Sequence, residues 1–224
     1  MKGKIIFSFL ILSLLIYEML YPQSKESALD YFKSIRDFSI SLLPDEFTAI
    51  LSGENIQKKL ATIPKDSYLN PNKKVEVEIK YTKKDGLGIT VLNVDDLYKD
   101  LYRDLPRQLF AFELVLSRSS NDSFLNKYQI SYHLNQTDLA ILKLQVKGAE
   151  NNILIYVNKE KKQLQRIDYL LGAKIQSSTI VGYKEVQDKD KTFSIPQRFI
   201  TKIFGQNDKS TRDIIELMNI EVKK

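Results

Sequence analysis

The sequence predicts a mainly β protein with a few short helices, built on one large curved antiparallel sheet or a barrel. The first observation is that apolar and charged residues alternate with period two through most of the chain, as in Val75-Glu76-Val77-Glu78-Ile79. Alternation of this kind is typical of antiparallel strands with one face in contact with solvent. The second observation is that turn-rich segments such as 119–122 and 188–191 separate the alternating stretches.

The composition excludes several classes of functional site. Of the 224 residues, 43% are apolar and 28% are charged, as in an ordinary folded protein. The chain has no Cys, which excludes disulfides, cysteine-based zinc sites, iron–sulfur clusters and a thiol nucleophile. Its one His excludes every site that needs two imidazoles. The net charge of +6 is compatible with lipid headgroups or an acidic partner, and equally with an ordinary solvated surface.

The N-terminal residues 1–24 resemble a secretory signal peptide. Lys2 and Lys4 precede a short apolar run, and the small residue Ser24 offers a cleavage site. We therefore expect one exported domain, residues 25–224, in the periplasm. The alternative is an uncleaved inner-membrane anchor, although a membrane span needs about 20 apolar residues and Glu18 interrupts the only window of that length.

Two amphipathic segments near the start of that domain are predicted to be helices, at about 25–38 and at 56–63. In the first, Ser27 and Asp30 have the spacing of a capping box. The second ends at Pro64, which cannot continue a helix. Both helices are expected to pack an apolar face against the sheet.

A third amphipathic helix is predicted at 95–105, with acidic residues at its start and Pro106 just beyond its end. Its apolar stripe comprises Leu97, Tyr98, Leu101, Tyr102 and Leu105.

The strands are predicted from the period-two pattern. Asp85-Gly86 supplies a turn, so the strands at 75–81 and 87–91 should form a hairpin. Further strands are predicted at 110–116, 124–132, 140–146, 152–158, 164–171, 174–184, 192–200 and 214–222. Alternation places Phe110, Phe112, Leu114 and Leu116 on one face of their strand, and Ala140, Leu142, Leu144 and Val146 on one face of another.

Catalytic motifs are absent from the sequence. It contains no Gly-rich phosphate loop, no Gly-x-Ser-x-Gly motif and no His pair at metal-ligand spacing. His133 lies among the polar residues of its strand and is interpreted as a surface residue. No catalytic residue, metal site or cofactor is therefore predicted, and a secreted enzyme of unrecognised type is the less favoured alternative. Nucleic-acid binding is not expected, because the basic residues are dispersed among acidic ones.

The C-terminal half carries a resemblance to a known family. Its segments follow in the order Ile153-Leu-Ile-Tyr-Val-Asn-Lys159, Leu164-Gln-Arg-Ile-Asp168, Gly172, Phe193-Ser-Ile-Pro-Gln-Arg-Phe199 and Ile214 to Val222. This order of strands, small-residue turns and a final Ile-Pro segment resembles the LolA family of periplasmic carriers of outer-membrane lipoproteins. It is also similar to relatives on that scaffold, the receptor LolB and the sensor RseB.

The resemblance implies an unclosed β-barrel, with two or three short helices covering its concave face. It implies a monomeric chaperone that carries lipids or lipoproteins with their acyl chains in a hydrophobic cavity, and with an envelope membrane protein as a possible partner. The expected cavity residues are Phe110, Phe112, Leu114, Leu116, Ala140, Leu142 and Leu144, and the stripe at 95–105 is the expected lid. The alternative is an envelope sensor or adaptor that binds a protein partner without transporting lipid.

We predict that the mature chain begins near Lys25 and is recovered in the periplasm, because the basic start and the short apolar run fit export better than membrane spanning. N-terminal sequencing of fractionated protein tests this prediction. Recovery of a chain that still begins at Met1 in the inner membrane would contradict it.

Overall fold

The computed structural model describes residues 26–101, 128–205 and 209–223. The first range contains helix α1 (Ala28–Ser41), strand β1 (Glu46–Ser52), helix α2 (Glu54–Leu60), a 3-10 turn (Lys65–Ser67), strands β2 (Glu76–Thr82) and β3 (Gly86–Leu92), and the one-turn helix α3 (Asp96–Lys99). The other two ranges contain strands β4 (Tyr128–Asn135), β5 (Leu139–Val146), β6 (Asn151–Asn158), β7 (Gln163–Leu171), β8 (Lys174–Asp188), β9 (Lys191–Phe204) and β10 (Ser210–Lys223).

The ten described strands form one antiparallel sheet in the order β3-β2-β1-β10-β9-β8-β7-β6-β5-β4. Strands β4 to β10 are neighbours in sequence and in space, and β1 joins the β2–β3 hairpin to β10. Strands β3 and β4 lie at opposite ends of the described sheet, which is not closed into a barrel. The predicted fold class, a large antiparallel sheet with a few short helices, is confirmed.

The hairpin of β2 and β3 forms where the sequence predicts it. Gly86 has a φ of 80°, in the left-handed region that glycine adopts at no steric cost. The Asp85 amide donates a hydrogen bond of 2.8 Å to the Thr82 hydroxyl, which closes the turn. Thr82 pairs with Gly86 at the end of the ladder, so the turn fixes the register of the two strands.

Strand β1 is absent from the sequence-based prediction. It lies between β2 and β10, and its consecutive residues Phe47, Thr48 and Ala49 are all buried. Phe47, Ala49 and Leu51 alternate with more polar neighbours, so the period-two rule applies to this short segment and only Ile50 departs from it. Gly53 follows directly, where a Cβ atom would lie 2.7 Å from the carbonyl oxygen of Ile214.

The helix predicted at 95–105 is much shorter in the described residues. Only Asp96–Lys99 is helical, and the amides of Tyr98 and Leu101 bond to carbonyl oxygens three residues earlier. A single turn of this kind satisfies few backbone groups, and short helices are marginal without tertiary support. Residues 102–105 and the predicted strand at 110–116 lie outside the described residues.

The hydrophobic core lies on the face of the sheet that α1 and α2 cover, which we call the inner face. Phe32 and Ile35 of α1 and Leu60 of α2 are almost completely buried there. On the sheet side, the rings of Phe47 and Tyr81 stack with their centroids 5.2 Å apart. The opposite side of the sheet is called the outer face.

An ion pair between a partly exposed arginine and a buried aspartate lies on the outer face of β7. The Arg166 guanidinium donates two hydrogen bonds of 2.7 Å to the two carboxylate oxygens of Asp168, whose side chain is fully buried. The same guanidinium lies 4.8 Å from the ring centroid of Tyr156. The hydrogen bonds to Asp168 are the main reason why the pKa of Arg166 is raised. These contacts fix the carboxylate in a place that water does not reach.

We predict that Arg166→Met lowers the free energy of unfolding by roughly 2–4 kcal/mol, because it leaves a buried carboxylate without its guanidinium partner. The matched control is Arg198→Met, which removes the 2.9 Å contact of Arg198 with Glu216 between side chains 51% and 36% exposed. That exposed pair should contribute about 0–1 kcal/mol. Urea denaturation of both variants measures the difference, and equal losses would contradict the prediction.

Candidate ligand-binding face

Helix α1 begins with Ser27 as its N-cap, at the position where the sequence predicts a capping box. The Ser27 hydroxyl accepts a hydrogen bond of 3.1 Å from the Asp30 amide and donates one of 2.6 Å to the Asp30 carboxylate. The cap satisfies one of the amides that a helix start leaves without a partner. The buried side of the helix comprises Ala28, Phe32, Ile35, Arg36 and Ser39.

The contact between α1 and the inner face includes polar groups that the sequence-based analysis missed. Arg36 and Ser39 are each only 7% exposed. Among the described residues, the buried hydroxyls of Ser39 and Tyr31 have no hydrogen-bond partner. Burial lowers the pKa of Arg36, against the opposing effect of the Asp37 carboxylate. An unsatisfied buried hydroxyl costs about 1–3 kcal/mol, so α1 is held less firmly than an all-apolar helix of the same area would be.

Three of the predicted cavity residues lie on β5. Ala140, Leu142 and Leu144 are fully buried, and they pair across the ladder with Val157, Ile155 and Ile153 of the core. They therefore share the inner face, and their side chains are packed against neighbours in this structure. The other four, Phe110, Phe112, Leu114 and Leu116, lie outside the described residues. Whether the seven line a cavity stays a prediction.

The described part of the predicted lid does not form a single buried stripe. Leu97 is 83% exposed, whereas Tyr98 and Leu101 are partly buried against the core. The Lys59 ammonium of α2 donates a hydrogen bond of 2.8 Å to the Leu101 carbonyl oxygen, which ties this segment to its neighbour. Tyr102 and Leu105 lie outside the described residues. The role of this segment as a lid stays a prediction.

The inner face becomes more polar along β8, β9 and β10. The hydroxyls of Thr179 and Thr201 lie 2.9 Å apart, and Asp213 pairs with Thr201 in the ladder. One step further along the same face, Ile203 is 44% exposed. Alternation could have found this band, because the threonines occupy inward positions of their strands. The inner face therefore has a buried apolar part, then a polar band, and then the exposed side chain of Ile203.

A cleft of about 380 Å³ lies between α2 and the segment that precedes β2. Its lining includes Leu60, Tyr68 and Lys73. A second cleft of about 310 Å³ adjoins it beside β1 and β10, and Gln57 and Lys74 line both. The two clefts are not formed by any predicted site residue.

Metal-binding clusters and membrane-spanning helices are both absent from the described ranges. Within residues 26–101, 128–205 and 209–223, no group of three or more His, Cys, Asp or Glu could hold a metal ion. In the same part of the chain, no helix has both the length and the apolar character needed to cross a bilayer. His133 is exposed beside a bulge of β4, where the register shifts between Tyr132 and Leu134.

The described residues thus form an open antiparallel sheet whose inner face is covered by short helices. No protein-family model matches the sequence, and no curated protein matches it. Among solved structures, a crystal structure of MucB in complex with MucA(peri) matches at 7% sequence identity and a TM-score of 0.28. The match covers 88% of this chain and 99% of that chain. At this TM-score the match carries no conclusion about the present protein.

We predict that Tyr31→Phe leaves stability at pH 7 unchanged or raises it by up to about 1 kcal/mol, since it removes a buried hydroxyl without a described partner. Burial is the main reason why the pKa of Tyr31 is raised from its ordinary value of 10.0 to about 12, and the neighbouring Tyr132 and Glu26 raise it further. The folded state therefore favours the protonated phenol. The contribution of the Tyr31 phenol to the free energy of unfolding is fully present below pH 10 and is lost as the pH rises through 12.

Between pH 10 and 12 the free energy of unfolding of the parent protein should therefore fall by roughly 1–2 kcal/mol more than that of the Phe variant. The difference is no larger because solvent screens part of the effect. Urea denaturation at pH 7, 10 and 11.5 measures both proteins. Parallel pH profiles would show that Tyr31 does not contribute in this way.

Proposed function

We propose that this chain is a periplasmic carrier of the outer-membrane lipoprotein-sorting type, which binds acyl chains of lipids or lipoproteins between α1 and the inner face. The proposed role includes no catalytic step. The observation that supports it is the composition of the α1 contact, where apolar Phe32 and Ile35 are buried beside polar Arg36 and Ser39. A helix of this kind covers an apolar surface and can still be exchanged for a better apolar ligand.

The free energies support such an exchange. Burying a large apolar side chain contributes about 1.5–3 kcal/mol, so release of Phe32 and Ile35 costs roughly 3–6 kcal/mol. Each buried methylene of an acyl chain contributes about 0.8 kcal/mol, so one long chain offsets that cost. Release of α1 also returns the buried Ser39 hydroxyl to water, which lowers the cost further. The 14-residue helix has marginal stability by itself and keeps its cap at Ser27.

A crosslink between α1 and β4 tests this mechanism. The ring centroids of Tyr31 and Tyr132 lie 5.9 Å apart. Because the chain has no native Cys, a Tyr31→Cys/Tyr132→Cys variant has one pair of thiols, which a short bismaleimide can crosslink. We expect the crosslinked protein to lose at least tenfold in uptake of a fluorescent fatty acid. The same variant treated with a monofunctional maleimide should retain uptake, because α1 can still move.

The control pair is Glu46→Cys/Lys80→Cys, which joins β1 to β2 on the outer face, where the two native side chains form a 3.3 Å ion pair. Crosslinking these strands should not change uptake, because neither carries α1. Uptake that is unaffected by the α1–β4 crosslink would contradict the proposed exchange. Circular dichroism before and after crosslinking establishes that each variant remains folded.

The second candidate function is an envelope sensor or adaptor that binds a protein partner without carrying lipid. The observation that favours it is the complete burial of Ala140, Leu142 and Leu144, since a closed inner face leaves only outer surfaces for recognition. Mass spectrometry of organic extracts from periplasm-purified protein separates the two functions. Bound lipid supports the carrier, whereas a stoichiometric protein partner in a lipid-free preparation supports the adaptor.

A further inference from the structure

The strand register aligns a row of side chains across six strands on the outer face. Each residue of the row is the ladder partner of the next, and none belongs to the core on the inner face. The row consists of Ile141, Tyr156, Arg166, Ile180, Ile200 and Ile214. Because directly paired residues share a face, these side chains form one continuous line.

The part of the row on β8, β9 and β10 consists of three isoleucines. Ile180 is 52% exposed, and Ile200 and Ile214 are half-buried beside it. The solvent face of an antiparallel sheet normally carries polar residues at such positions. A contiguous line of β-branched apolar side chains on that face therefore points to a surface that is covered when the protein functions.

Basic residues border this line. The neighbouring register row contains Lys202 and Arg212 on β9 and β10, which are directly paired and exposed. The carboxylates closest in register, Asp168 and Glu216, already form ion pairs with Arg166 and Arg198. Within the described ranges, no carboxylate lies within ion-pair distance of Lys202 or Arg212. The border thus has two basic side chains without described carboxylate partners.

We propose that the outer face of β8–β10 docks on an anionic lipid bilayer. Ile180, Ile200 and Ile214 would lie at the level of the lipid headgroups, and Lys202 and Arg212 would contact phosphates beside them. Long basic side chains suit this position because their stems pack on apolar surface while their charged ends reach the headgroups. The net charge of +6 adds a general attraction toward such a surface.

This inference is separate from the proposed carrier role, because it concerns the opposite face of the sheet. Docking requires neither movement of α1 nor removal of an acyl chain from the bilayer. The small apolar area predicts weak and reversible binding that depends on salt.

Vesicle sedimentation of the purified full chain tests the proposal. One set of vesicles contains phosphatidylcholine alone, and the other contains phosphatidylglycerol at about 30%. We expect partitioning onto the anionic vesicles only, falling steeply between low and high salt. Lys202→Glu/Arg212→Glu should reduce partitioning at least 25-fold, since each basic residue near a membrane contributes roughly fivefold. Ile180→Asn should reduce it roughly tenfold.

The matched control is Lys65→Glu/Lys73→Glu, which changes the net charge equally in an exposed segment between α2 and β2. It should retain partitioning within about threefold. The α1–β4 crosslinked protein should also bind anionic vesicles, which separates docking from acyl-chain uptake. Denaturation midpoints of all variants establish that they are folded. Equal binding to both vesicle types, binding to neither, or an equal loss in the control would overturn the proposal.

Discussion

The pairing of β1 with β10 is the interaction on which the rest of the structure depends. It joins the β2–β3 hairpin, from the first half of the chain, to the consecutive strands β4 to β10. Without it the sheet would divide into the three strands β1, β2 and β3 and a separate meander of β4 to β10. The cost of closing so long a loop is repaid because Phe47, Ala49 and Leu51 become almost completely buried between their neighbours. Gly53 allows the chain to leave β1 in close contact with the β10 backbone.

The two faces of this sheet have different physical chemistry. The inner face buries large apolar side chains under α1 and α2, and its polar band lies toward one end of β8, β9 and β10. The outer face has its own buried element, the ion pair of Arg166 and Asp168, beside a line of isoleucines that remains partly exposed. A sheet with apolar surface on both sides can use one for an internal ligand and the other for an external one. The proposed carrier role and the proposed membrane contact therefore do not compete for the same residues.

The balance at α1 decides between a fixed core and an exchangeable cover. Phe32 and Ile35 hold the helix in place, and the buried polar groups of Tyr31 and Ser39 oppose them. Each of these contributions is of the order of 1–3 kcal/mol, so a change of one residue alters the balance appreciably. Regulation of access to the inner face through this helix would need no large rearrangement of the strands.

Elements that depend on local sequence patterns could be predicted before the structure was known. The capping box at Ser27 predicts the start of α1, Asp85-Gly86 predicts the hairpin, and alternation places Leu142 and Leu144 on one face. The seven-residue strand β1 became evident only from its pairing with β10, since its short alternating pattern is broken at Ile50. The structure also limited the described helix after Asp95 to one turn. Likewise, the line of Ile180, Ile200 and Ile214 joins residues that are distant in sequence. Strand register, which depends on long-range pairing, brings them together.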